Sequence, residues 1–408
     1  MKKIFNKILS ITNSVFYIDI KFLGIKLHKK KILSNNEKII YENLPINKTK
    51  IFLNTNSGSY SDNQKYIAQE LLKENNFEII WGGNEKTTNY IKDFPDRIKV
   101  IPFTSKKYLR EMATSKFLIF QDRRLNEIKS HIRKKDSQIY IQTWHGSLGI
   151  KKTGEERNDV NNKHFEECKI DAKEIDFLTS NGTYTTNFFK QAFWNNGEIL
   201  EFGHPRNDIF FQNRPDIREK IYNYFNIPKN KKIALYVPTL REDHSLNSYN
   251  MNFEEIKNSL KNKFNNEWVI LMKLHPLIIE LWDNYKYKKN VINATNYSDI
   301  QELLYCADIV FTDYSSCVFD FILSKKPAFI YATDIDNYKN GRGLQYPLED
   351  TPFPIATNND ELIKNIENFD NNKYQTKVEE FLKEKGCIDD GHASERVVEL
   401  IKDIIKNQ

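Results

Sequence analysis

Cysteine is scarce: Cys168, Cys306, Cys317 and Cys387 are the four in a chain of 408 residues. No two of them form a C-x-x-C pair. That spacing argues against a disulfide framework, gives no basis for structural zinc and fits a reducing cytoplasm. No apolar run approaches the length of a membrane-spanning helix. Asn13 and Asp19 interrupt the apolar part of the lysine-bearing N-terminus, and no small-residue cleavage site follows, so a signal peptide is not read. Charge of one sign is also missing. The chain has 61 Lys and Arg against 55 Asp and Glu, well mixed, for a net +6. That balance argues against a dedicated nucleic-acid binder but permits an anionic substrate or a membrane surface. There is no P-loop signature and no glycine-rich dinucleotide fingerprint, so ATPase and dehydrogenase readings lack support.

What is present suffices for large cores: 39% of residues are hydrophobic and 13% aromatic, which excludes global disorder. A chain this long is expected to form two domains. Residues 1–45 stand apart, with an amphipathic helix expected over Met1–Ile11. A β-hairpin is expected to turn near Gly24 and end in the basic run His28-Lys29-Lys30-Lys31. Lysines beside apolar residues suit an anionic bilayer, or equally a solvated arm packed on its own domain. Residues 46–208 alternate strand and helix, from Lys50–Asn54 through Gln138–Gln142 to Ile199–Phe202. The same rhythm restarts over 209–385, and residues 386–408 end in a helix expected over Ala393–Ile405. Alternation of this kind predicts two doubly wound parallel sheets.

The second unit is organised around Ser298–Tyr331. Ser298 is the expected N-cap, with Gln301 at capping-box spacing. Ile309-Val310-Phe311 reads as a buried parallel strand. The chain then breaks at Thr312-Asp313-Tyr314-Ser315-Ser316 before a second apolar helix. A Ser/Thr-rich turn between strand and helix aims free N–H groups and a helix dipole at one spot, which suits a phosphate. Simple helix capping by Ser315 or Ser316 explains the same residues. Asp320, about one turn into that helix, faces either ligand or solvent.

Two histidines fall where strands end, the ligand-binding edge of open α/β sheets. His145 follows Gln138–Gln142, in a loop with Trp144, Gly146 and Ser147. It can act as a general base near neutral pH or serve as a turn histidine stacked on Trp144. His275 follows Trp268–Leu274, with Lys273 two residues before it, and either can balance pyrophosphate charge. Arg241 would reach the same edge, and Arg206 is read as pairing with Asp208. Arg342, between Gly341 and Gly343, suits a phosphate clamp. Asp334 and Asp336 have metal-binding spacing but are read as turn formers. His164 and Cys168 share one helix face with nothing nearby to complete a metal site.

Five stretches occur in a familiar order: QTWHGS at 142–147, GHPRND at 203–208, YVPTLR at 236–241, MKLHP at 272–276 and TDYSS at 312–316. In these the chain resembles the CDP-glycerol glycerophosphotransferase family of teichoic-acid and capsule polymerases, from about Lys50 to about Pro354. The resemblance implies a GT-B fold, with the active site in the cleft between two Rossmann-like domains and the last helix crossing back to the first. It implies a CDP-linked glycerol or other polyol-phosphate donor, and a glycan or polyol-phosphate acceptor that is carried on lipid. His145 matches the family's general base and His275 its donor-site histidine. Arg241, Lys273, Thr312, Asp313, Ser315, Ser316, Asp320 and Arg342 fall to the donor phosphates, and Trp144, Gly146 and Ser147 to the acceptor side. No metal or other cofactor is implied. Lys273 stands where many relatives carry Arg, which weakens a bidentate phosphate contact there. Two rivals remain, a GT-B glycosyltransferase using a nucleotide sugar and a non-catalytic module recruited through the basic N-terminus.

Overall fold

The computed structural model describes residues 9–13, 17–22, 25–30, 34, 40–83, 93–103, 105–157, 162–241, 246, 249–275, 278, 281–282, 285, 288–340 and 343–407. Three strands come first: β1 (Leu9–Asn13), β2 (Tyr17–Phe22) and β3 (Ile25–Lys30) pair antiparallel in that order. β2 and β3 pair as the two arms of the expected hairpin, with Phe22 opposite Ile25. The helix expected over Met1–Ile11 is corrected at its described end. Leu9 and Ile11 alternate in a strand opposite Phe22 and Ile20, so the period of two wins once a partner strand supplies the ladder. Residues 1–8, and the bilayer-facing side chains proposed for this arm, lie outside what is described.

The first large sheet uses β4 (Asn47–Asn54), β5 (Glu78–Gly83), β6 (Ile98–Pro102), β7 (Ser115–Phe120), β8 (Ile139–Gln142), β9 (Phe177–Ser180) and β10 (Glu198–Glu201). All are parallel, in the order β10-β9-β8-β7-β4-β5-β6. Ile51, Phe52 and Leu53 of central β4 are wholly buried, because helices cover both faces of a parallel sheet. The chain runs outward from β4 through β5 to β6, then returns to β7 and continues the other way. That reversal puts a topological switch point between β4 and β7, where open sheets bind ligands.

The second sheet repeats the plan with β11 (Lys231–Val237), β12 (Glu267–Met272), β13 (Ile292–Asn293), β14 (Ile309–Thr312), β15 (Ala328–Tyr331) and β16 (Ile355–Ala356). Its parallel order, β13-β12-β11-β14-β15-β16, puts the switch point between β11 and β14. Two such domains make a GT-B-like architecture. The last helix returns to the first domain: Val397, Val398 and Ile401 share a core with Ile51, Ile67 and Ile119. On the way, Ile388 N–H donates to Asn181 at 3.0 Å. The strand-like approach leaves no room at Gly182 (φ 146°), where a Cβ would stand 2.0 Å from the Gly386 carbonyl oxygen. Asp208 caps the returning helix, accepting from Ala393 N at 3.0 Å and Ser394 N at 2.8 Å. The expected Arg206–Asp208 pair is therefore not formed.

Two buried polar clusters hold the domains together. We label α1 (Asp62–Leu71) in the first domain and α2 (Ile300–Cys306) in the second. Lys65 of α1 reaches Asp299 and Glu302 at 2.6 Å each. Burial alone lowers its pKa, but the two carboxylates outweigh that and raise it. Asp299, not Ser298, is the N-cap of α2, accepting from Gln301 N. The side chain of Gln301 turns instead to Asn207 Oδ1, at 3.0 Å. In the second cluster Arg206 binds Asp62 at 3.1 Å and Asp320 at 3.0 Å. Ser147 Oγ donates to Asp320 at 2.6 Å.

Candidate active site

The switch points of the two sheets face one cleft of about 1360 Å³. The loop after β8 brings Trp144, His145 and Gly146 to its first-domain wall, beside Asp122 and Arg123 from the loop after β7. The loops after β11, β12 and β14 bring Arg241, then Lys273 and His275, then Ser315 and Ser316 to the opposite wall. Residues from four of the five quoted stretches thus line one space. Loops of the two domains also touch: Gln345 N donates to Ile150 O at 2.6 Å, and Tyr346 Oη to Leu148 O.

His145 is half-buried on a strained turn, since Trp144 before it takes φ 54°. Its ring lies against the indole at 4.2 Å between centroids, tilted by 34°, and Trp144 is held edge-on by Phe193. Under this loop lies His204 of GHPRND, fully buried against the Gly146 main chain. Desolvation, then the charge of Arg206, pushes its pKa well down and keeps it neutral. His275 is exposed at the other wall. Lys273 directs its ammonium to the carbonyls of Thr295 (3.2 Å) and Tyr297 (2.7 Å). Burial lowers its pKa to about 8.

Several expected phosphate ligands have other partners. Arg241 grips Asp334 through Nε (2.6 Å) and Nη2 (2.9 Å), and meets Asp313 at 2.8 Å. Nη1 donates to Thr239 O at 2.6 Å. Two carboxylates neutralise this guanidinium, so it shapes the wall more than it offers charge. Asp313 also accepts from Thr239 N at 2.8 Å, and Thr312 Oγ1 donates to Val237 O at 2.6 Å. Both are buried behind the wall. Asp320 and Ser147 are buried in the inter-domain cluster, away from the cleft surface. These four are corrected from ligand contacts to supports: a buried carboxylate or hydroxyl beside a donor or acceptor takes it before any ligand can. Ser315 and Ser316 remain at the surface of the cleft. The helix they open, Cys317–Phe321, has five residues, so N–H and hydroxyl groups of the turn supply most of what a phosphate would meet there. Arg342 lies outside the described residues, although Gly343 pairs with Lys152 (N···O 3.3 Å).

The sequence model described as CDP-Glycerol:Poly(glycerophosphate) glycerophosphotransferase matches residues 38–403. The chain belongs to this family. It is 31% identical to a teichoic acid poly(glycerol phosphate) polymerase of Staphylococcus epidermidis over all of this chain and 59% of that one. A polymerase of the same description from Bacillus spizizenii is 30% identical, covering 97% of this chain and 98% of that one. The solved wall teichoic acid polymerase TagF superposes with a TM-score of 0.78 at 30% identity, over 92% of this chain and 94% of the other. A substituted form of TagF soaked with CDPG is equally similar.

Against this glycerophosphotransferase background, several cleft residues were not singled out from the sequence. Arg123, Lys151 and Arg157 give the first-domain wall a basic character. Arg123 is pinned between the carbonyls of Cys168 and Phe193, each at 3.2 Å. Asp122 was likewise unmarked, and only its place after a strand end could have drawn attention to it. His164 and Cys168, noted for helical spacing, do meet at 3.5 Å on the cleft wall. Burial raises the Cys168 thiol pKa, which leaves it un-ionised.

Proposed function

We propose that the chain transfers glycerol phosphate from CDP-glycerol to an acceptor hydroxyl on a glycan or polyol-phosphate polymer, releasing CMP. The observation that carries this reading is the convergence of His145 from one domain with His275, Ser315 and Ser316 from the other on one cleft. His145 takes the proton of the acceptor hydroxyl, and the freed oxygen bonds to the β-phosphorus. The bond from that phosphorus to the bridging oxygen breaks, and CMP leaves with the electron pair. His275 and the 315–316 turn face the charge that builds on the pyrophosphate. Lys273, tied to the carbonyls of Thr295 and Tyr297, anchors the loop that carries His275.

No metal takes part in this scheme. Both oxygens of Asp334 are engaged by Arg241, and Tyr314 Oη adds a bond at 3.0 Å, which supports that choice. The test is one assay: the full chain with CDP-glycerol, CDP-ribitol and a panel of nucleotide sugars, with and without EDTA. The readouts are released nucleotide and product mass. CMP release from CDP-glycerol that persists in EDTA is the expected result. Turnover only with a nucleotide sugar would replace the reading with glycosyl transfer. Activity lost to EDTA and restored by Mg²⁺ would reinstate a metal.

We further propose that the enzyme works on the inner face of the cell membrane, on a lipid-carried acceptor. Clustered lysines in the first 31 residues support this, since each well-placed Lys adds about 1 kcal/mol of attraction to an anionic surface. The full chain should sediment with anionic vesicles at low salt and be released at high salt. Sedimentation unaffected by salt would remove the electrostatic contact.

A further inference from the structure

We infer that Asp122 is the positioning residue of His145: it holds the proton on Nδ1 and so leaves the Nε2 lone pair for the substrate. This rests on the reading of His145 as the base. Asp122 and His145 leave the C-terminal ends of the adjacent strands β7 and β8, where Phe120 lies opposite Gln142. Asp122 Oδ2 stands 3.9 Å from His145 Nδ1. That nitrogen is buried and has no hydrogen-bond partner, an arrangement that costs free energy until a partner closes on it. Asp122 is the acid facing it. A charge-assisted bond needs about 2.8 Å, so a ring shift of about 1 Å would complete the contact. Catalytic hydrogen bonds are commonly long before substrate arrives.

The carboxylate is also held in place from both sides. Oδ1 accepts from Arg123 N at 2.7 Å, and Oδ2 from Asn56 Nδ2 at 2.9 Å. Asn56 follows β4, and its N–H donates to Gln121 Oε1 at 2.8 Å. Gln121 in turn donates to Asp62 at 2.6 Å, and Asp62 is bound by Arg206. The chain of bonds runs from His145's neighbour to the inter-domain cluster. Contacts from the loops after β4 and β7, which flank the switch point, fix Asp122 directly, so a His145 ring closing on it meets a stationary acceptor. Two ionisable neighbours, His204 under the loop and Arg123 beside Asp122, do not compete for Nδ1. His204 is neutral, and Arg123 is committed to two carbonyls.

The experiment combines ring ¹⁵N spectra of histidine-labelled full-length protein with steady-state kinetics on CDP-glycerol. In the unsubstituted protein His145 should show the Nδ1–H tautomer; finding Nε2–H there overturns the proposal before any variant is made. Asp122→Ala should shift the tautomer toward Nε2–H and lower kcat about 10–100-fold, less than loss of the base itself. KM for CDP-glycerol should stay within about twofold, because the donor is held by the other domain. Asp122→Glu has the reach to span the 3.9 Å gap and should restore both the tautomer and most of the rate. Lower kcat in both variants with the tautomer unchanged would make Asp122 a loop-capping residue only, and would overturn the inference. The spectra are independent of turnover. A chain inactive on every CDP donor therefore refutes the proposed function while the tautomer still decides the role of Asp122.

Discussion

Arg206→Met is expected to lower stability by about 3–5 kcal/mol, the cost of leaving buried charge without its partner. Arg206 is 3% exposed and answers Asp320 with two contacts, at 3.0 and 3.3 Å, and Asp62 with one at 3.1 Å. Desolvation works against its charge, yet the two carboxylates raise its pKa. Removal would strand Asp320, itself 2% exposed, with only Ser147 and a 3.5 Å contact from Gln301. Urea unfolding measures the loss. Pairing the substitution with Asp320→Leu should recover much of it, because apolar replacement of both partners removes the stranded charge. A single-variant loss under about 1 kcal/mol would show the cluster to be hydrated and weak.

His145→Ala should reduce kcat by about 10²–10⁴, the usual contribution of a general base. The ring sits on the first-domain wall, and the donor contacts proposed here come from the second domain. Affinity for CDP-glycerol, read by calorimetry, should therefore change little. The fold should also hold, since the side chain is half-exposed and its packing partner Trp144 keeps its contact with Phe193. A variant within a few-fold of the parent kcat would take His145 out of the mechanism.

Strands were legible because a parallel strand covered on both faces must be apolar throughout, as in Ile309–Phe311 and Ile51–Leu53. Strand ends then pointed to His145 and His275, and both reach the cleft. Partnerships distant in sequence were not legible. Asp334 follows a strand and precedes a short helix, so local chemistry made it a turn former. Its grip on Arg241 spans 93 residues, and no local pattern encodes that. Asp320 was misjudged for the same reason: one turn into a helix it suits a ligand, until Arg206 arrives from the other domain. Ser298 lost the cap to Asp299, whose carboxylate serves α2 with one oxygen and Lys65 with the other. Leu9 and Ile11 fit a helix or a strand on their own, and the neighbouring strand decided between them.

The helix Ala393–Lys406 finishes a core that begins at Ile51, and this bears on how the protein is made. As the chain emerges from the ribosome, the first sheet can pair early, and α1 can cover part of one face with Ile67, Ala68 and Leu71. The part that Val397, Val398 and Ile401 cover stays open while the second domain is synthesised. Contacts of such sequence separation form late and slowly. Until residues 393–406 have been made, the nascent first domain thus carries an incompletely covered apolar face, a state that favours aggregation or chaperone capture. The second domain, whose own core spans one continuous run of chain apart from a few first-domain residues such as Tyr66, Leu148 and Ile150, can close first. Completion of the first domain's core then waits for a helix made after the second domain.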